Sequence, residues 1–385
     1  MAAQPRMGDV TGALLVERVR RDLEVVSQGG LDLDTYLTES LASLQRVVPV
    51  DAVCLATVDP STRMLTSTRK YGDLWGRDER DHHWGLLEYG LPEETAFVHM
   101  HDTGVRALGM HQTTGGDVET SRRISELIKP YYGYGDELRT LLVDRDHLWG
   151  AVAMFRATDS RPFDAAEVEF LASLSPVLGQ GVRTGLLASL AASAPIDSPS
   201  GPAVVIIGED DAVVQVNAGA DRWLAELVQG SAGAAASGIV GSLVGAARRY
   251  ARGECLQPPR ARVRTMSGLW LVLHATPLSP RNGAGGEVVV TIEEARPPEI
   301  VPLVVAAFGL TARERDVTAL VLQGLDTKEI GALLHLSAWT VQDHLKSILE
   351  KASVRSRREL IARIYFDQYV PRMGREVGPS GWYLG

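Results

Sequence analysis

Residues 310–351 read LTARERDVTALVLQGLDTKEIGALLHLSAWTVQDHLKSILEK, and the helix-capping residues in this stretch decide the architecture of the chain's C-terminal part. Thr311 and Glu314 stand in the T-x-x-E relation of a capping box ahead of Val317, Leu320 and Val321. Asp326 and Glu329 repeat the device ahead of Ile330, Leu333 and Leu334, and Ser356 and Glu359 repeat it before Leu360, Ile361 and Ile364. In such a box each side chain accepts a hydrogen bond from a backbone N–H that the helix leaves unpaired, so the boxes mark helix starts. Ser337 offers one more N-cap, and only His335 and Leu336 separate its helix from the one before. The pattern predicts four short helices, the middle pair joined by a tight turn.

On a wheel at about 100° per residue, the helix after Ser337 has two distinct sides. Val341, Leu345 and Ile348 cluster on one, with Ala338 and Leu349 flanking. Trp339, Asp343, Lys346 and Glu350 occupy the other, with Thr340, Gln342 and Ser347 on its shoulders. Such side chains can hydrogen-bond or pack against base edges, and a helix pair of this size fits a DNA major groove. The same pattern also suits the solvated face of a helical bundle.

The span closely resembles the LuxR-type DNA-binding domain of bacterial transcription regulators. That family's elements are L-T-x-R-E, G-L-[ST]-x-K-E-I-A, L-S-x-x-T-V-x-x-H and K-x-x-V-x-S-R. Here they fall on Leu310 to Glu314, Gly324 to Gly331, Leu336 to His344 and Lys351 to Arg357. Gly331 replaces the usual alanine, and Ala352-Ser353 the usual Leu-Gly. The resemblance implies that Gln342, Asp343 and Lys346 face bases, with Trp339 on the same side, while Lys328, Thr340, His344 and Arg357 hold phosphates. It also implies a fourth helix, about Ser356 to Phe366, that pairs two copies of the chain, and RNA polymerase as a further partner. For Leu360, Ile361 and Ile364 in that helix, a place in the internal core is the competing reading. Asp343 has two roles open to it: accepting from a cytosine amino group, or holding Lys346 in place at i,i+3.

The rest of the chain is less basic. Net charge is −9. Residues 309–371 hold nine Lys and Arg against eight Asp and Glu, so the remainder carries 39 − 9 = 30 against 48 − 8 = 40. Six basic residues (Lys346, Lys351, Arg355, Arg357, Arg358, Arg363) make a local patch, and phosphate contacts act within about a Debye length of 8–10 Å. Hydrophobic residues make 45% and charged residues 23%, a globular balance. No apolar run approaches the roughly 18 residues of a membrane span. The opening MAAQPRMGDVTG lacks the apolar core of a signal peptide. Cys54 and Cys255 have no metal-knuckle or disulfide spacing. The expectation is a cytoplasmic protein without a membrane partner.

Upstream, patterns of strand and helix predict a multidomain chain. Residues 1–190 read as an α+β domain with an N-terminal helix and helices on one face of its sheet, residues 191–202 as a linker, and 203–297 as a second α+β domain. Residues 298–308 form a connector, 309–371 the all-α four-helix domain and 372–385 a tail. LWGAVAMFRA followed by FDAAEVEFLASLSP makes the first domain resemble a GAF domain. VVIIGEDDAVVQVNAGADRWL, with its Asn-led helix at Asn217, and GLWLVLHATPL make the second resemble a PAS domain. The run from Pro298 to Thr311 follows a P-x-x-x-P-L-x-x-x-A-[FY]-G-L-T pattern similar to a group of actinobacterial LuxR-family regulators. Together the resemblances imply a one-component regulator, with sensing and DNA binding on one chain.

Both domain types hold small ligands in related proteins. His82, His83, His99, His101 and His111 gather in sequence beside Trp84 and Met100. His-Met-His has no matching carboxylate or cysteine spacing, so no cofactor is expected, a haem or metal being the weaker reading. Trp84, His99 and His101 are the candidate contacts for an organic ligand, with a purely structural role for these residues as the competing reading. No phosphate loop, H-E-x-x-H or G-x-S-x-G motif occurs, so no enzyme is expected. The rival to a DNA-binding regulator is a ligand-controlled adaptor whose helical domain meets another protein.

Overall fold

The computed structural model describes residues 10–91, 93–190, 202–227, 235–265, 267–279 and 286–365. The linker at 191–201, most of the Gly-rich turn at 281–286 and the C-terminal tail lie outside the described residues. No described helix is long and apolar enough to cross a membrane.

The first domain begins with α1 (Val10–Gln28) and α2 (Leu33–Leu44), then β1 (Ala52–Val58) and β2 (Leu65–Gly72). The Gly-, His- and Asp-rich stretch that follows holds α3 (Asp81–Gly90), α4 (Phe97–Thr103), β3 (Ala107–Gly109), α5 (Met110–Thr113) and a π-helix over Ile124–Tyr132. β4 (Tyr134–Asp144) and β5 (His147–Ala157) form a hairpin, and α6 (Ala165–Leu190) closes the unit. Arg145 and Asp146 turn that hairpin at φ 50° and 65°, the left-handed pair that matches strand twist. Asp164 caps α6: the Glu167 N–H donates to its carboxylate at 3.0 Å, and the Asp164 N–H donates back to Glu167 at 2.9 Å.

The five strands are antiparallel in the order β2-β1-β5-β4-β3. Side chains of alternate strand residues serve opposite faces. Val53, Leu55, Val152 and Met154 pack with α1, α2 and α6, whereas Ala52, Ala153 and Phe155 pack with Leu87 of α3, Met110 of α5 and the π-helix. The expectation of helices on one face is therefore corrected to helices on both. The short helices of the second face carry too many polar and glycine residues to show a clean helical period.

The second domain repeats the same plan. β6 (Ala203–Ile207), β7 (Val213–Val216), α7 (Ala220–Glu226), α8 (Ala235–Ala251), β8 (Arg260–Arg264), β9 (Trp270–Pro277) and β10 (Val288–Glu294) give an antiparallel sheet ordered β7-β6-β10-β9-β8. Renumbered within its own domain, that is again 2-1-5-4-3. Asn217 does not open the helix. Its side chain donates to the Pro202 carbonyl at 2.8 Å and accepts from the Val204 N–H at 3.0 Å, pinning the start of β6.

α8 carries the contact between the two domains. Leu243, Val244 and Ala247 on one side enter the core of the second sheet. The side bearing Gly238, Gly241 and Gly245 lies on α3 so closely that backbones meet. A Cβ on Gly241 would stand 2.2 Å from the His82 carbonyl oxygen, and one on Gly85 would stand 2.5 Å from that of Gly238. Only glycine permits that approach, so the Ala- and Gly-rich helix is the coupling element between the sheets.

Residues expected as a plain connector form α9 (Pro297–Ala307), with prolines in its first turn where an absent N–H costs nothing. Then come α10 (Ala312–Leu322), α11 (Thr327–Leu334), α12 (Ala338–Lys351) and α13 (Arg357–Tyr365), the four predicted helices. One buried cluster runs from Leu174 and Val182 of α6 through Ile300, Leu303 and Val304 of α9 to Val317, Val341 and Leu360. α9 is thus packed between the first domain and α13.

Candidate nucleic-acid interface

The helix-turn-helix is built by its caps. Thr311 accepts from the Glu314 N–H at 3.3 Å, and the Thr311 N–H donates to Glu314 at 2.7 Å. Asp326 accepts from the Lys328 and Glu329 N–H groups at 2.7 and 2.9 Å, and its own N–H donates to Glu329 at 2.6 Å. The third box is displaced by one residue. Ser356 accepts from Glu359 at 3.2 Å, but the Glu359 carboxylate takes the N–H of Arg355 at 2.8 Å.

α11 ends on His335 in the left-handed region at φ 55°, and the Leu336 N–H donates back to the Gly331 carbonyl at 2.8 Å. A Cβ on Gly331 would lie 2.8 Å from the Leu336 carbonyl oxygen. The departure from the family's alanine therefore accompanies a tight approach at this turn. Ser337 starts α12 by accepting from the Thr340 N–H at 3.0 Å.

α12 is split as the wheel requires. Val341, Leu345 and Ile348 are buried, while Trp339, Gln342, Asp343, Lys346 and Glu350 are exposed. Trp339 keeps 72% of its surface in solvent. Of the other predicted contacts, Lys328 is exposed in the first turn of α11, and Thr340 and His344 are half-buried along α12. Arg357 is half-buried too, and its guanidinium donates to the Leu325 carbonyl at 3.0 Å, tying the start of α13 to the loop before α11. Among the described residues no ion pair within 4.0 Å joins Asp343 to Lys346, so the carboxylate and the ammonium present themselves separately.

Sequence reasoning missed Glu314 as a joint. Its side chain is nearly inaccessible, and it receives Lys351 at 2.6 Å on each carboxylate oxygen and the Ser347 hydroxyl at 2.6 Å. Burial opposes ionisation, but the hydrogen bonds from Lys351, Ser347 and Thr311 outweigh it and pull the carboxyl down to about 2. This ties α10 to α12. It also removes Lys351 from the basic patch that the sequence suggested. In α13, Leu360 and Ile364 are buried in the common core and Ile361 is half-buried, so the first two serve the core reading.

The candidate ligand residues sit in different settings. Trp84 packs into an aromatic cluster, 5.7 Å from both Tyr132 and Phe155 between ring centres. His99 is exposed on α4, and His101 lies 3.9 Å from its neighbour Asp102. Among the described residues no three His, Cys, Asp or Glu side chains gather as a metal site. The space between sheet and helices on this face is instead occupied by a buried ionic network. Arg139 bridges Glu88 at 2.7 Å and Glu137 at 2.8 Å, and Arg123 reaches Glu137 at 2.9 Å and Glu93 at 3.2 Å. The only sequence signal for it is the run Asp136-Glu137-Leu138-Arg139 inside a strand.

Comparison with known proteins places the C-terminal domain. Residues 309–364 match the model of the bacterial regulatory proteins of the luxR family. The transcriptional regulatory protein DesR of Bacillus subtilis is 44% identical over 57 residues, 15% of this chain and 29% of DesR. The spore germination protein GerE of the same organism is 36% identical over 55 residues, 14% of this chain but 74% of GerE. The chain spans about a quarter of the length of the first curated relatives it matches, DesR among them. Among solved structures, the GAF domain of an Acinetobacter phosphoenolpyruvate-protein phosphotransferase overlaps 46% of this chain and 96% of its own, at 11% identity and a TM-score of 0.30. Through the helix-turn-helix at residues 309–364, the chain belongs to the LuxR family of bacterial regulatory proteins.

Proposed function

We propose that this chain is a one-component transcriptional regulator. Its C-terminal domain binds specific double-stranded DNA with α12 in the major groove, as a homodimer, under control of a signal received by the GAF-like and PAS-like domains. The observation that carries this reading is the face of α12. Trp339, Gln342, Asp343 and Lys346 stand exposed together, opposite a fully buried Val341 and Ile348, on a helix set by a Ser337 cap. Gln342, Asp343 and Lys346 supply the donors and acceptors that base edges require. Lys328, Thr340, His344 and Arg357 are the candidates for phosphate contacts, which position the helix without reading sequence.

The adaptor alternative rests on Trp339 alone, the one large apolar side chain on the otherwise polar exposed face of α12. The strand–turn–strand opening and closing strand pair of the second domain accord with its PAS-like reading. DNase footprinting of the full chain on its own upstream region tests the proposal. Two protected half-sites related by a two-fold are expected, and one unpaired half-site held by a monomer refutes the dimeric arrangement.

A further inference from the structure

Trp339 is the only Phe, Tyr or Trp in residues 309–364, and it keeps 72% of its surface in solvent. A lone exposed apolar side chain needs no explanation by itself. This one is singled out by its place. It stands in the first turn of α12, three residues before Gln342, four before Asp343 and seven before Lys346, on the exposed stripe those residues share. The turn that carries it is fixed from both ends. Ser337 accepts from the Thr340 N–H at 3.0 Å, the Ser337 and Thr340 hydroxyls stand 2.8 Å apart, and Val341 is fully buried. From this placement we infer that Trp339 reads the C5-methyl group of a thymine in the operator, an inference that rests on the DNA-binding reading above.

The chemistry of the groove selects that partner. Base pairs present hydrogen-bond donors and acceptors in the major groove, and the apolar group among them is the thymine methyl. Gln342, Asp343 and Lys346 answer the polar groups. An indole on the same stripe gains from leaving water only where it meets apolar surface. With α12 in the groove, the thymine methyl is that surface. One helical turn rises about 5.4 Å and base pairs stand about 3.4 Å apart. The thymine therefore lies about one to two base pairs from those facing Gln342 and Asp343.

The competing occupant is another protein, for which a tryptophan is a common anchor. Such anchors cluster with further apolar contacts, and the exposed stripe of α12 carries no second large apolar side chain. The two occupants also differ in a way that can be measured, because only DNA carries the methyl.

The test begins by selecting the full chain's preferred duplex from randomised DNA. Each thymine of that duplex is then replaced singly by deoxyuridine, which keeps the base pairing and removes only the C5-methyl. In gel-shift titration at least one replacement should weaken binding about threefold or more. Trp339→Ala and Trp339→Gln should each weaken binding to the thymine duplex by a similar factor, and should bind the thymine and deoxyuridine duplexes alike. Trp339→Phe, which keeps an apolar ring, should retain part of the thymine preference, and Glu350→Ala should retain all of it. Circular dichroism of each variant separates lost contact from lost fold. If the selected duplex has no sensitive thymine, or if both Trp339→Ala and Trp339→Gln keep the full deoxyuridine penalty, the thymine contact is overturned while the regulator reading stands. If no duplex is bound at any salt, the regulator reading falls and the thymine contact falls with it.

Discussion

Asp59 and Arg262, 203 positions apart, form an ion pair at 2.5 Å in which the two side chains keep 0% and 1% of their surface. Arg262 sends Nε to the other carboxylate oxygen at 2.6 Å, and its remaining nitrogen to the Glu299 carbonyl at 2.9 Å. One guanidinium thus holds the end of β1, the strand β8 and the helix α9. Removing one partner of a buried pair leaves an uncompensated charge and costs about 3–5 kcal/mol. Asp59→Ala should therefore lower the urea midpoint of the full chain sharply, and Asp59→Leu with Arg262→Met should recover much of the loss. An unchanged midpoint for Asp59→Ala would show that the joint does not hold the domains together.

The glycines of α8 give a contrast within one helix. A Cβ on Gly241 meets the His82 carbonyl oxygen at 2.2 Å, whereas one on Gly238 meets nothing nearer than 3.6 Å. Gly241→Ala should force α8 from α3 and destabilise by about 1–3 kcal/mol. Gly238→Ala should be neutral or stabilising by up to about 1 kcal/mol, because alanine is the better helix former. Thermal unfolding of both variants decides it, and equal shifts would contradict the close crossing.

The third prediction concerns acid. The Glu314 carboxyl, normally near 4.5, is held at about 2 in the folded chain. A depressed carboxylate stabilises above its unfolded pKa, and the contribution fades as pH falls through the folded one. The helix-turn-helix should therefore lose on the order of 3 kcal/mol between about pH 4.5 and pH 2. Glu314→Gln should be less stable at pH 7 and show a flatter acid limb in circular dichroism. Parallel acid limbs for the two proteins would show that Lys351 and Ser347 do not stabilise the ionised form.

These joints explain what sequence reading reached. Capping boxes are local, so Thr311, Asp326 and Ser337 announced α10, α11 and α12, and the helical wheel separated Val341 and Ile348 from Gln342 and Lys346 correctly. The apolar runs LRTLLVD and HLWGAVAMFRA on either side of Arg145-Asp146 mark the β4–β5 hairpin for the same reason. The short helices between β2 and β4 escaped because their glycine, histidine and acidic residues break the apolar period. Long-range polar partners escaped altogether: nothing near Arg262 in sequence points to Asp59, and Glu314 looked like a cap alone until Lys351 was seen to reach it. Trp84, His99 and His101 stand close in sequence, but Trp84 packs in an aromatic cluster while His99 is exposed.

Asp343 offers a fourth test. Without an ion pair to Lys346, its carboxylate is free to accept from a cytosine amino group on the groove floor. Asp343→Ala should change the preferred operator sequence in a selection from randomised DNA. An unchanged preference would contradict base reading by Asp343.

DNA recognition itself is tested most directly by gel-shift titration of the full chain against its own upstream region across a range of salt. Phosphate neutralisation releases counterions, so affinity should fall steeply and linearly on logarithmic axes. Lys346→Ala with Gln342→Ala should weaken binding far more than Glu350→Ala. Binding that ignores salt, or no binding at any salt, would contradict the account.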